Sequence, residues 1–269
     1  MTESFKNLIM EKHQTCVDCP SNDDIKDLFE DILTLLFPTF SNQRLINIEL
    51  VDERIQSIKE RLESIIVHHP TLCETPTSTI AHNLISSLEG IERSIQLDVD
   101  AIYNGDPAAQ SKEEVIRSYP GFYAISAYRI AHVLYKLGMN IVPRIITELA
   151  HHRTGIDIHP AAIIDHSFCI DHGTGVVIGE TTVIGHNVKV YQGVTLGALS
   201  VDKNDANKKR HPTIEPYVVI YANATILGGD TIIGQSSIIG GNAWVTESVD
   251  PHSTIYYVVG DNQVENRNN

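Results

Sequence analysis

Aromatic side chains are scarce in this 269-residue chain, at 6% of the residues and with a single Trp. A core of stacked rings is therefore excluded, and something else must fill the interior of a chain that is 42% hydrophobic. Basic side chains are also few, 20 against 34 acidic ones, and the net charge of −14 argues against general binding to nucleic acid or anionic membranes. No apolar run approaches the ~20 residues a membrane helix needs. The start, MTESFKNLIMEKHQ, lacks the basic region, apolar stretch and cleavage site of a secretion signal. Four cysteines in a chain of this length do not make a disulfide framework. Cys16 and Cys19 form a lone C-x-x-C with no second ligand pair and no following strand-helix unit, so no zinc or redox role is assigned to them. A reduced, cytoplasmic protein is expected.

What is present divides in two. Ile25, Leu28, Ile32, Leu35 and Leu36 recur at helical spacing, as do Val51, Ile55, Ile58, Leu62 and Ile65, and then Ile80, Leu84, Leu88, Ile91 and Ile95. Pro38, Pro70 and Pro76 separate these stretches, and Asn104-Gly105-Asp106-Pro107 breaks the pattern before two more, near 111–118 and 122–138. Residues 1–150 are thus expected to form a helical domain serving assembly.

From Ile156 onward the period becomes six. Positions 158, 164, 170, 176, 182, 188 and 194 hold Ile, Ile, Ile, Val, Thr, Val and Val, and a second register at 178, 184, 190 and 196 holds Ile, Ile, Val and Leu. After an interruption, Ile214, Ile220, Ile226, Ile232, Ile238 and Trp244 continue one register and Leu227, Ile233, Ile239 and Val245 another. A six-residue period suits neither a helix nor simple alternation, but it suits a parallel β-helix of triangular section, three hexads to a coil. β-Branched residues stacked from coil to coil account for the missing rings. The fold class is therefore α+β, with the prism over 151–260 and a polar tail over 261–269. The interruption, Ala198 to His211, is polar, carries Lys203, Lys208, Lys209 and Arg210, and reads as one long loop extruded from a corner.

Imidazoles and carboxylates concentrate in the prism: Asp157, His159, Asp165, His166, Asp171, His172, His186 and His211. Asp157 and His172 are 15 residues apart, close to one coil, and are expected near one another on adjacent coils. A carboxylate beside an imidazole fixes its tautomer and raises its basicity, which is what a general base requires. Two other readings of these residues stay open. Three histidines could bind zinc between subunits, as in the carbonic anhydrases built on this fold, although His166 and His172 fall on different sides of the triangle. A non-catalytic scaffold is the other, and it leaves the basic loop and the Asp/His pairing unexplained.

The segments Asp106-Pro107-Ala108-Ala109, Tyr119-Pro120-Gly121-Phe122, Ala127-Tyr128-Arg129-Ile130-Ala131-His132, Asp157-Ile158-His159-Pro160, Ile170-Asp171-His172-Gly173-Thr174-Gly175, Val176 to Thr181, Gln192 to Gly197 and Arg210-His211-Pro212, in this order, resemble the serine O-acetyltransferases of the hexapeptide-repeat acyltransferase family. The resemblance covers roughly residues 80 to 250. It implies a left-handed parallel β-helix that trimerises with active sites between neighbouring prisms, and transfer of acetyl from acetyl-CoA, as co-substrate, to L-serine in cysteine biosynthesis. It implies His172 as base with Asp157 orienting it, and Asp106 and Asp171 on the serine ammonium. Arg210 and His211 would take the serine carboxylate, His211 also counting among the catalytic residues. Gly197, Ala198, Ala222 and Gly241 would lie along acetyl-CoA, and no metal is expected. Related prisms acetylate sugars or antibiotics, the nearest competing activity. The helices before about residue 80 match the family weakly, and a dimer of trimers through the helical domain is the further assembly the resemblance implies. The tail lacks the terminal isoleucine that many members insert into cysteine synthase, so no stable complex with it is expected. Cysteine is expected to compete in the serine pocket.

Overall fold

A computed structural model describes residues 1–15, 20–41, 44–73, 75–199 and 208–257. Cys16, Cys19, Lys203 and the expected polar tail lie outside the described residues. The helical region comprises α1 (Glu3–Thr15), α2 (Asn22–Leu36), α3 (Ile48–His68), α4 (Thr77–Gly105), α5 (Lys112–Ser118), α6 (Pro120–Lys136) and α7 (Val142–Thr154). Side-chain caps start three of them: Ser21 accepts from the Asp24 N–H, Asn47 from that of Leu50 and Ser111 from that of Glu114. Proline in the first turn starts α6 and α7. Gly155, left-handed at φ +73, ends α7 and turns the chain into the prism. The periodic residues of α2, α3 and α4 face one core with α6 and α7, where Phe29 meets Tyr123 and Phe37 meets Phe122 edge to face. Helix α1, which no periodicity announced, has no buried residue. No helix among the described residues is long and apolar enough to cross a membrane.

The prism is a left-handed parallel β-helix. Its first sheet contains β1 (Asp157–Ile158), β4 (Val177–Ile178), β7 (Thr195–Gly197), β10 (Thr225–Leu227) and β13 (Trp244–Val245), in that order. The second contains β2 (Ile163–Ile164), β5 (Val183–Ile184), β8 (Thr213–Ile214) and β11 (Ile232–Ile233). The third contains β3 (Cys169–Asp171), β6 (Lys189–Tyr191), β9 (Val219–Ile220), β12 (Ile238–Ile239) and β14 (Thr254–Ile255). Each strand turns one residue inward, and the residue two before it is buried as well, as with Val176 and Ile178 or Val188 and Val190. Up to the extruded loop, both hexad registers consist of such inward positions. Among the described residues, Phe168 is the one aromatic residue of the coils that is fully buried, consistent with a section too narrow for rings. Corners are made by left-handed residues: Ser167, His172, Asn187, Tyr217, Asn223, Ser236, Asn242 and His252 all have φ between +56 and +62.

Coil length departs from a strict eighteen. Val177 pairs with Thr195, eighteen residues on, but Asp157 pairs with Val177, twenty on, and Thr213 with Ile232, nineteen on. The nineteen-residue coil shifts the late register by one. Ile233, Ile239 and Val245 continue the core, while Ile232, Ile238 and Trp244, which share a hexad register with the buried Ile226, face outward at 43%, 38% and 68% exposure. The extruded loop enters between β7 and β8, so Val183 pairs with Thr213 thirty residues on without loss of register.

Helices α4 and α6 close the first end of the prism. Arg129 of α6 binds the fully buried Asp98 of α4 through Nε at 2.9 Å and a terminal nitrogen at 3.0 Å. Asp98 also accepts from the Phe168 N–H at 2.8 Å, and Arg129 donates to the carbonyls of Ile164 and Asp165. Tyr128 donates to the Ala162 carbonyl at 2.6 Å and accepts from the Ile164 N–H at 3.1 Å. Backbone groups that no preceding coil pairs are satisfied in this way. Truncating one partner of a buried ion pair leaves the other charge uncompensated. Asp98→Ala is expected to lower unfolding free energy by about 3–5 kcal/mol, read from the urea midpoint, with Asp98→Asn milder; an unchanged midpoint would refute the clamp.

Candidate active site

Two clusters form at two corners of the prism. The first lies where β3 passes into β4. Asp171 ends β3 with its side chain 10% exposed, and His172 follows as a left-handed corner residue with its ring 72% exposed and Nε2 3.8 Å from the Asp171 carboxylate. Gly105 and Asp106, at the end of α4, reach the same corner from the helical region. Tyr119 donates to Asp106 at 2.6 Å and the Ala108 N–H does so at 2.8 Å. The hydrogen bond from Tyr119, then that from Ala108, holds the Asp106 carboxyl below its ordinary value, with the His172 and Lys189 charges adding to the effect. The same bond pushes the Tyr119 phenol up to about 12, so it stays a donor. Lys189 pairs with Asp171 at 2.9 Å and donates to the Gly105 carbonyl at 2.6 Å.

The second cluster lies where the first sheet passes into the second. Arg210 is ion-paired with Glu180. The Nδ1 of His211 accepts from the Thr181 N–H at 3.1 Å and lies 2.9 Å from the Thr181 hydroxyl, which accepts from the N–H groups of Arg210 and His211. With Nδ1 accepting, the ring proton sits on Nε2, so that nitrogen is the donor. The ring covers Gly179, where a Cβ would come within 2.1 Å of Nε2, so only glycine fits. Burial, then the Arg210 and Lys209 charges, pushes His211 down to about 4. It is therefore a neutral hydrogen-bond donor at pH 7 and not a second cation. Burial likewise lowers His159 nearby. The ammonium of Lys209 is folded onto the carbonyls of Thr181, His211 and Pro212.

Asp157 opens β1 near the first corner, where the Gly175 N–H reaches the Gly155 carbonyl. Its carboxylate is engaged by Arg144 at 3.3 Å, and among the described residues no hydrogen bond or ion pair joins it to His172. Glu148, His151 and Asp157 are the one set of described side chains close enough together to hold a metal ion, and Arg144 already pairs with both carboxylates. His166 is at neither corner; it stacks on His186 with ring centroids 5.3 Å apart. Gly197 and Ala198 lie at the second corner, whereas Ala222 and Gly241 lie in later coils above the first, Gly241 packed on the Ala222 carbonyl.

No protein-family model matches the chain. It is 40% identical over 259 residues to a plasmid-encoded serine acetyltransferase of Synechococcus elongatus, covering 88% of this chain and 81% of that one. The chain belongs to the serine acetyltransferase family. The serine acetyltransferase isoform 3 of Entamoeba histolytica, solved in complex with cysteine, superposes with a TM-score of 0.76 at 35% identity over 96% of this chain and 93% of that one. The Neisseria gonorrhoeae serine acetyltransferase, solved in complex with serine, gives 0.61 at 31% identity over 86% and 95%. The resemblance read from the ordered motifs and the acyltransferase activity it implied are both upheld by these relatives.

Within this serine acetyltransferase, the motifs pointed to Asp106, Asp171, His172, Arg210 and His211, but not to the side chains that hold them. Glu180 and Thr181 were in view as part of the G-E-T segment without a role, and Tyr119 as part of Y-P-G-F. Lys189 and Arg144 carried no sequence signal, because each acts across a coil or from a helix. Since His211 binds a proton below its unfolded value of 6.5 only at about pH 4, the unfolded chain takes up more protons in between, and stability falls as pH drops through that window. His211→Asn, which keeps an acceptor toward Thr181, is expected to flatten the decline of the melting temperature between pH 6.5 and 4; an equal slope in both proteins would refute it.

Proposed function

We propose that the chain transfers the acetyl group of acetyl-CoA to the hydroxyl of L-serine by direct attack within a ternary complex. His172 removes the hydroxyl proton as the serine oxygen attacks the thioester carbonyl. The carbon–sulfur bond then breaks, and the thiolate leaves with the proton returned by the imidazolium. Asp106 and Asp171 receive the serine ammonium. Arg210 offers a planar two-pronged donor to the carboxylate and the His211 Nε2–H a further hydrogen bond. Asp157, held by Arg144 and not joined to His172 in the free chain, would orient the imidazole once bound substrate turns the exposed ring toward it, and acetyl-CoA lies along Gly197, Ala198, Ala222 and Gly241, whose small side chains let it approach the coils. Cysteine has the same ammonium and carboxylate, so the same pocket accounts for its competition with serine.

The observation that supports this most is the convergence of Asp106, Asp171 and His172 at one corner from two distant parts of the chain. The anion-binding half, with Arg210 and His211, sits one side of the triangle away in the same prism. A neighbouring copy that sets its second corner against the first corner of this one completes the site and shields the exposed His172 from water. A homotrimer with three shared sites follows, and the helical regions of two trimers could pair further. Cytoplasmic location is part of the same proposal.

His172→Ala is expected to lower kcat about 10²–10⁴-fold, followed as thiol release from acetyl-CoA with serine; near-full turnover would remove His172 from the role of base. Neither His172→Ala nor Arg210→Ala should be active alone. Refolding the two together should restore a fraction of wild-type activity, because a mixed interface contains one intact site, and no recovery would place both halves in one chain. Incubation with acetyl-CoA alone should leave the protein mass unchanged; a stable gain of about 42 Da, an acetyl group in place of one hydrogen as a covalent intermediate would leave, would replace direct transfer.

A further inference from the structure

Lys189 opens β6 where the helical region meets the first corner. Strand β6 lies one coil beyond β3, with Lys189 beside Cys169 and Tyr191 beside Asp171. Val190 points into the prism, so Lys189 and Tyr191 both stand on its outer face. The Lys189 side chain is 17% exposed, and its ammonium touches three groups: Asp171 at 2.9 Å, the Gly105 carbonyl at 2.6 Å and the Tyr191 ring, 4.4 Å from its centroid. Gly105 is the last residue of α4 and Asp106 the next. Gly105 presses so closely on β3 that a Cβ there would lie 2.8 Å from the Cys169 Sγ.

Three negative features thus meet in a small space: the half-buried C-terminal carbonyls of a 29-residue helix, Asp171 and Asp106. Left alone they repel. We propose that Lys189 is a positioning residue that determines specificity in the acceptor pocket: by bridging Asp171 to the Gly105 carbonyl it fixes Asp106 beside Asp171 and leaves the pair with room for one further ammonium. This rests on the reading of Asp106 and Asp171 as the site of the serine ammonium. Two carboxylates and one resident ammonium leave a single net negative charge, the complement of an α-ammonium. Burial opposes the charge on Lys189, but its bonds to Tyr191 and Asp171 outweigh this and raise its pKa, so it remains a cation.

The test compares wild type, Lys189→Met and Lys189→Arg as full-length proteins, with thiol release from acetyl-CoA as the assay. Lys189→Met is expected to raise KM for serine roughly tenfold or more, the effect of a lost charge-assisted bond, with kcat within about threefold and KM for acetyl-CoA unchanged. Inhibition by 3-hydroxypropanoate, which has the hydroxyl and carboxylate of serine but no ammonium, should hold its strength in Lys189→Met. Lys189→Arg should recover most of the serine KM. An unchanged serine KM in Lys189→Met overturns the proposal, as does a loss confined to kcat or shared equally by acetyl-CoA. Should Lys189→Met not fold, Lys189→Gln and Lys189→Arg carry the comparison, and equal serine KM values for Gln, Arg and Lys would overturn it. If wild type releases thiol only with acceptors that lack an α-ammonium, the pocket reading itself falls, an outcome distinct from the failure of Lys189.

Discussion

The rest of the molecule depends on how the first coil of the prism is closed. A parallel β-helix pairs every coil with the next, so its starting coil has backbone donors and acceptors with no strand to meet them. Here Asp98, Tyr128, Arg129 and His132 supply those partners, reaching Phe168, Ala162, Ile164, Asp165 and the Pro160 carbonyl. Ala124, Ile125 and Tyr128 of α6 belong to the core of the prism itself, so the helix is a plug and not merely a neighbour. The cost of burying Asp98 and Arg129 is offset because they pair bidentately and also hydrogen-bond the Phe168 N–H and the Ile164 and Asp165 carbonyls. Helix α4, which carries Asp98, also ends at Gly105, two turns further on. The same clamp that closes the prism therefore sets where Asp106 stands relative to Asp171 and His172.

The hexad pattern was legible because the prism repeats one physical requirement, two inward positions per side. It located the coils, their interior and the extruded loop, and the motifs located the two corners. What the pattern could not show was the shift by one residue in the fourth coil, because Ile occupies both the inward and the outward position there: Ile232 and Ile233 differ only in which way the strand faces. The pairings of the side chains that organise the site were equally hidden, even for Arg129, which stood in a matching motif without a role. Lys189 meets Gly105 across 84 residues and Arg129 meets Asp98 across 31, and neither spacing has a period that a sequence reading could recognise.

Electrostatically the two corners are opposites. One gathers Asp106, Asp171 and the end of a helix around one lysine; the other gathers Arg210, Lys209 and two imidazoles that burial holds below their ordinary range around one glutamate. The overall charge of −14 conceals this separation. A zwitterion suits a cleft formed by the two, and neither half alone offers it more than one of its ends.

Because coils stack without gaps, changes in length are absorbed only at corners, as the thirty-residue step between Val183 and Thr213 shows. Position along the prism is therefore counted in coils and not in residues. The prism behaves as a graduated rod: His172 stands on the first coil, Glu180 and Lys189 on the second, His211 on the third, whatever the loop between them contains. A family built on such a rod can lengthen or rewrite its loop without moving a catalytic group, whereas adding or deleting a whole coil would carry one corner cluster past the other.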